Sequence, residues 1–373
     1  MTIIAGAVHA APVFMDVDAT IDKACEIIRK AGKDGIELLV FPEVFVPGYP
    51  YFIECYPTLN QTAALAAYTD ASIEVPGPEV RRLQVAAHQA GVMVVMGVSE
   101  RLRGSRTCFN SQVFIDRDGT LLGVHRKLQP TYVERIVWGQ GGGHTLKVFD
   151  STLGKVGGLA CWEHTMNLAR HALIAQGIQI HAAAWPGLST MAGFEAVADV
   201  QIDAMMKTHA LSAQCFVVSA ANPVDQTCLE WMEKHLGPQQ LVTAGGGWSA
   251  IVHPFCGYIA APHTGAEEKV LVGEINLDDL KQVKVWVDSA GHYARPEVVQ
   301  LRDALESRGN YRVALTRDAD TFVPLEDRVR FARQQNADLF ISIHADANAN
   351  HDARGAGFTS KVENLSTGIL PGD

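Results

Sequence analysis

Short, almost wholly apolar runs alternate along this chain with longer stretches of helical spacing, and most of the runs are apolar on both faces. Strands of that kind are buried on two sides, so helices must cover the sheets they form. The sequence therefore predicts an α/β fold. Residues 3–8 (IIAGAV) predict a first strand, and 19–31 an amphipathic helix. Residues 36–41 predict an apolar strand, and 78–90 a helix with Val80, Leu83 and Ala87 on one face. A continuous apolar strand follows at 92–98, with further strands at 112–115 and 121–124. Residues 156–160 are a strand of small residues, 168–176 a helix, 178–184 a strand, 192–211 a longer helix and 216–220 a strand. Propensity alone leaves open whether these strands form one doubly wound sheet or two packed ones.

Composition narrows the classes of function. A chain of 373 residues accommodates one or two domains. Its 47% hydrophobic and 19% charged content suits a buried core rather than disorder. The net charge of −10, with no long Lys/Arg cluster, argues against nucleic acid as a partner. The N-terminus, MTIIAGAVHAAPVF, reads as a first strand and not as a signal peptide. No apolar run approaches bilayer-spanning length, so no membrane partner is expected. Seven cysteines without a secretory signal fit free thiols in a reducing cytoplasm.

The segment 155–170, KVGGLACWEHTMNLAR, carries the most chemistry. Cys161 stands where a buried strand turns sharply towards a helix. Free N–H groups and the helix dipole at such a turn are expected to favour a thiolate, the form in which cysteine acts as a nucleophile. The other cysteines lack this setting: Cys25 and Cys215 read as packing residues, and Cys55, Cys108, Cys228 and Cys256 lie in loop-like or strand-edge contexts. In GIELLVFPEVFVPGYP, Glu43 directly follows an apolar strand, where a carboxylate is costly unless solvated or paired. In LLGVHRKLQPTYVERIVWGQGGG, Lys127 follows another strand and Glu134 lies in a turn-rich stretch. Each of these charges would by itself read as an ordinary surface residue.

Taken together, Glu43, Lys127 and Cys161, each at the end of an apolar strand, resemble the nitrilase superfamily. The stretches FPEVFVPGYP, HRKLQPTYVERIVWGQG and GGLACWEHTMNLAR are similar to its nitrilase branch, and Cys-Trp-Glu-His argues against the amidase and carbamoylase branches. The likeness runs from about residue 3 to about 295, ending in DSAGHYARPEVV. It implies a four-layer α-β-β-α sandwich. It also implies Cys161 as the nucleophile on a nitrile carbon, Glu43 as general base, Lys127 stabilising charge on the substrate nitrogen, and Glu134 positioning Lys127 and substrate. The expected route is a covalent thioimidate and then an acyl-enzyme, releasing a carboxylic acid and ammonia. No cofactor and no metal are implied. Homo-oligomers, from a dimer to spirals or filaments, are the expected assembly. Tyr49, Trp162 and Trp185 lie near the motif ends and could line the substrate site, or equally be core. Where nitrilases often carry an Asp, this chain has Gly142, which gives the loop more backbone freedom. Two alternatives stay open: a cyanide-converting or largely amide-releasing enzyme, and a non-catalytic assembly protein.

The character of the chain changes after residue 295. All six Trp and all seven Cys lie before residue 287. Beyond 296, a helix is predicted at 298–307, a strand at 312–315, a helix at 325–335 and a strand at 338–343, a small α/β fragment of its own. Residues 301–360 resemble the middle of the zinc-dependent N-acetylmuramoyl-L-alanine amidases, most specifically at Ser342-Ile343-His344-Ala345-Asp346. The resemblance maps one zinc-ligand histidine onto His344, but the family's other ligands have no counterpart here. A catalytic zinc needs three protein ligands, so this fragment is expected to be non-catalytic. The predicted organisation is a nitrilase-like catalytic domain over 1–295 and an amidase-like fragment over 296–373.

Overall fold

The computed structural model describes residues 1–294, 325–335, 341–345 and 356–360. The chain divides into two compact units, Met1–Tyr293 and Ala294–Asp373. The first unit opens with β1 (Thr2–His9), α1 (Val17–Lys33), β2 (Leu38–Val40), two short helices α2 (Phe52–Cys55) and α3 (Thr62–Asp70), and α4 (Pro78–Ala90). It continues through β3 (Met93–Arg101), β4 (Cys108–Ile115), β5 (Leu121–Arg126), β6 (Phe149–Ser151), β7 (Gly154–Ala160) and α5 (Asn167–Ala175). Then come β8 (Ile180–Trp185), α6 (Ala198–Ala213), β9 (Phe216–Ala221), α7 (Gln226–Leu236), β10 (Trp248–Val252), β11 (Tyr258–Thr264), β12 (Lys269–Asn276) and α8 (Asp279–Trp286).

Hydrogen bonding joins the strands in the order β5-β4-β3-β2-β1-β9-β8-β7-β6, with β12 antiparallel to β1 and β10 antiparallel to β9. The two halves of this order meet through a single pair, His9 with Ala221, between β1 and β9. Successive strand residues face opposite sides, and each side feeds a different core. From β2 and β3, Leu39, Val94 and Met96 pack on Ile21, Ala24 and Ile28 of α1 and Val80, Leu83 and Ala87 of α4. Their alternates Leu38, Val40, Met93 and Val95 pack on Val156, Ile180, Ala182, Phe216 and Val218 of the other half. That half turns Leu159, Ala183, Trp185 and Val217 towards Leu173 of α5 and Ile202, Met206 and Ala210 of α6. Three apolar layers separate helix, sheet, sheet and helix, so the unit is an α-β-β-α sandwich. A fourth cluster, including Tyr49, Tyr51, Phe52, Tyr68, Trp138 and Met232, covers one end of the strands.

Helix boundaries follow local chemistry. Asp16 caps α1 by accepting from the Ala19 N–H at 3.0 Å. Gly91, at φ 66°, ends α4 in a conformation glycine adopts without cost. The helix predicted from 192 begins at Ala198, because the Ala192 N–H already donates to Leu241 O at 2.7 Å. The strand predicted at 112–115 begins at Cys108 and carries the buried polar residues Asn110 and Ser111, which hid its first half. Helices α2, α3, α7 and α8 and strands β6 and β10 to β12 went unread in the sequence.

In the second unit, α9 (Leu325–Gln334) coincides with the predicted helix. β13 (Ile341–Ala345) pairs antiparallel with β14 (Ala356–Ser360), and His344 lies in β13 opposite Gly357. The helix predicted at 298–307, the strand at 312–315 and residues 338–340 of the last predicted strand lie outside the described residues. Among the described residues no helix is long and apolar enough to cross a membrane.

Candidate active site

Four polar side chains converge at the strand ends beneath the aromatic cluster. Glu43 leaves β2 after Phe41-Pro42, close against β3. A Cβ on Gly97 of β3 would lie 2.1 Å from Pro42 O and 2.6 Å from Val44 N, so only glycine lets the Glu43 turn sit there. Lys127 follows β5 directly; its N–H donates to Asn110 O at 2.8 Å and its carbonyl accepts from the Gly141 N–H at 2.9 Å. Glu134 lies in a 3-10 turn, Tyr132–Ile136, and accepts from the Thr131 N–H at 2.8 Å. Cys161 begins the 3-10 helix Cys161–Thr165 at the end of β7, with φ at 53°. A side-chain-bearing residue held there costs on the order of 1–3 kcal/mol, a strain that surrounding contacts must hold.

Lys127 Nζ donates to Glu43 Oε1 at 2.9 Å and to Glu134 Oε1 and Oε2 at 3.0 and 2.8 Å. Asn110 Nδ2 donates to Glu43 Oε1 at 2.6 Å, and the Tyr49 hydroxyl to Glu134 Oε1 at 2.9 Å. Cys161 Sγ and one oxygen of each carboxylate lie within 4.8 Å of one another. Glu43, Lys127 and Cys161 are 1% exposed and Glu134 2%. Glu43 Oε2 accepts no hydrogen bond from the described residues.

The electrostatics follow from burial and neighbours. Burial raises Glu43 to about 7, against the pull of Lys127. Burial disfavours charge on Lys127, but Glu134 and then Glu43 outweigh it and hold its ammonium well above the ordinary lysine value. Burial first and Glu43 second push the Cys161 thiol well above the ordinary cysteine value, outweighing Lys127. This corrects the expectation of a resting thiolate. The helix α5 begins only at Asn167, and burial together with Glu43 outweighs what the turn and Lys127 offer a thiolate. The thiol is protonated at rest and needs a base.

Two carboxylates and a sulfur at this spacing have the donor set of a cation site. Lys127 Nζ already lies between the carboxylates as a fixed positive charge, which repels a metal ion.

Tyr49 is buried, and its hydroxyl is bound to Glu134. Trp185 is wholly buried and stacks on His164 at 5.1 Å, with Trp162 edge-on to it at 6.3 Å and half-buried. Sequence reasoning passed over the supporting groups Asn110, Asn222, Tyr51 and His164. Asn110 bonds Glu43 directly. Asn222 Nδ2 donates to Glu43 O at 3.0 Å, while its Oδ1 accepts from the Tyr51 hydroxyl at 2.9 Å. Asn222 directly follows the apolar strand β9, so the pattern that singled out Glu43 and Lys127 would have flagged it too. His164 Nδ1 lies 2.7 Å from Cys161 O. A carbonyl only accepts, so Nδ1 carries the proton, and burial lowers His164 to about 4, keeping the ring neutral.

Residues 4–285 match the family model for carbon–nitrogen hydrolase, and residues 294–367 that for N-acetylmuramoyl-L-alanine amidase. A nitrilase of Talaromyces marneffei is 35% identical over 303 residues, spanning 79% of this chain and 93% of its own. An aliphatic nitrilase of Rhodococcus rhodochrous is 38% identical over 299 residues, spanning 79% and 81%. An arylacetonitrilase of Aspergillus kawachii is 34% identical over 297 residues, spanning 79% and 89%. The crystal structure of a carbon–nitrogen hydrolase from Helicobacter pylori superposes with a TM-score of 0.65 at 19% identity, covering 82% of this chain and 99% of the other.

Proposed function

The chain belongs to the carbon–nitrogen hydrolase family, and from that premise we propose that it hydrolyses a small organic nitrile to the carboxylic acid and ammonia through a covalent bond to Cys161. The observation that carries this reading is the buried set itself: an ammonium held between two carboxylates, with a thiol within 4.8 Å of both.

The chemistry proceeds as follows. Glu43 takes the Cys161 proton as Sγ attacks the nitrile carbon, and passes it to the nitrogen, giving a thioimidate. Lys127 stabilises the negative charge that develops on that nitrogen in a site shielded from water. Water, deprotonated by Glu43, adds to the thioimidate carbon; the tetrahedral adduct expels ammonia and leaves a thioester. A second water, activated by the same carboxylate, releases the acid and restores the thiol. Glu134, fixed by Tyr49 and the Thr131 N–H, keeps Lys127 in place. A base raised to about 7 suits this cycle, because it both accepts and returns protons near neutrality. Half-buried Trp162 is the better candidate for a substrate wall, and Trp185 for its support. We assign the activity to residues 1–295 and none of the chemistry to 296–373. Family membership also supports a homodimer as the minimum assembly.

The test is ammonia and acid release from a panel of aliphatic, aromatic and arylacetonitriles and cyanide, with Cys161→Ala beside the parent. Removing one member of a buried ion pair costs about 3–5 kcal/mol, so the thiol is the cleaner position to change. Turnover is expected to fall by at least ~1,000-fold in Cys161→Ala with melting behaviour kept. Full turnover by that variant would refute the mechanism, and amide in place of acid would assign an amide-releasing enzyme.

A further inference from the structure

The residue two places after Cys161 is a carboxylate with no part in the steps above, yet it is 1% exposed and fully bonded. Glu163 Oε2 accepts from the Ala160 N–H at 3.0 Å, just before the nucleophile. Glu163 Oε1 accepts from the Leu128 N–H at 2.8 Å, just after Lys127. His125 Nε2, two residues before Lys127, lies 3.0 Å from both oxygens. One side chain thus grips the arm that carries the thiol and the arm that carries the ammonium. Those arms end β7 and β5, which lie near opposite ends of the strand order and so in different halves of the sandwich.

We propose that Glu163 is a positioning residue that sets the separation of Cys161 from Lys127 by clasping the β7 and β5 ends together. The proposal rests on the catalytic roles given above for those two residues. The geometry demands a carboxylate. Both oxygens must accept, each from a different arm, and both face His125. A glutamine has one accepting oxygen, and its amide N–H would confront an N–H on the other arm. An aspartate keeps the charge but is one methylene too short to reach both. The clasp is also held ionised. Burial alone would raise Glu163, but His125 and the Leu128 and Ala160 N–H groups outweigh it and lower it; Glu163 in turn outweighs the effect of burial on His125 and raises it. The cation on Lys127 works only if it lies where charge develops, and a misplacement of about 1 Å can cost on the order of 100-fold in rate.

The test compares the full-length parent, Glu163→Gln and Glu163→Asp in two assays: nitrile turnover per folded molecule, and the rate at which iodoacetamide alkylates Cys161, followed on its own peptide by mass spectrometry. With melting curves fixing the folded fraction, both variants are expected to lose about 10- to 100-fold in kcat with KM within about threefold, and to alkylate more slowly. A merely structural role would lower the melting temperature and the folded fraction while leaving kcat per folded molecule unchanged. That outcome, or recovery of activity by Glu163→Asp, overturns the clasp. If the parent turns over no nitrile but both variants slow the alkylation of Cys161, the clasp stands and the nitrile reading falls.

Discussion

Glu43 is the residue on which activity and stability pull in opposite directions. In its proposed role as base it must be ionised, so kcat/KM is expected to rise with pH to a plateau beyond about 7, the value to which burial raises it. Its folded pKa exceeds its ordinary 4.5, so the folded state holds that proton more tightly than the unfolded chain does. The stability this adds is complete below 4.5 and is lost as pH rises through about 7. A pH–rate profile set beside melting curves of the parent and Glu43→Gln checks both signs; an acid limb near 4.5 would show that Glu43 is not held up by burial. The sequence placed Glu43, Lys127 and Cys161 at strand ends and Glu134 in a turn-rich stretch, and the resemblance of the motifs around them made them one set. It misjudged the resting state of the thiol, since burial and then Glu43, 118 residues away, outweigh what the local turn offers. It passed over Glu163 and His125, whose contact across 38 residues leaves no local mark.

At the scale of elements, the site depends on close approach between neighbouring strands. Gly97 of β3 leaves room for the backbone of the Glu43 turn, and alanine there would meet Pro42 O at 2.1 Å. The obstacle is backbone rather than a flexible side chain, so Gly97→Ala is expected to cost on the order of 1–3 kcal/mol. Its displacement of Glu43 should also lower kcat about tenfold or more. Unchanged melting and unchanged kcat would show that the turn yields freely. Buried strands with both faces apolar were legible, as were the helices α1 and α4 with one apolar face. Strands β11 and β12 were not: β11 buries none of its residues fully, and in β12 the regular alternation of burial is hidden in the sequence by an exposed Val272 and a buried Gly273. β4 lost its first half to Asn110 and Ser111, polar residues whose burial makes sense only once Glu43 and Glu100 are beside them.

At the scale of the whole molecule, the four layers could not be told from a doubly wound sheet by propensity. The distinction lies in one pair, His9 with Ala221, where the strand order passes from one half to the other. The change of character near residue 295 was legible in composition, and the two compact units divide between Tyr293 and Ala294. The amidase-like segment carries a histidine that resembles a zinc ligand, whereas the candidate site of the first unit holds the Lys127 ammonium between its two carboxylates. Prolonged treatment of the full chain with EDTA is therefore expected to leave nitrile turnover within about twofold of its starting value. A larger loss, restored by zinc, would assign the second unit a part in activity.

A protonated, 1% exposed thiol also bears on how the protein ages. Oxidants attack the thiolate, and they must reach it. Cys161 offers neither access nor a resting negative charge, while Cys25, Cys55 and Cys256 are only half-buried. Burial raises those three thiols as well, Cys55 to about 12, so access alone sets the order, and oxygen is expected to add first at these positions. A stored sample is then expected to gain oxygen mass before it loses turnover, which peptide mass mapping beside an activity assay checks.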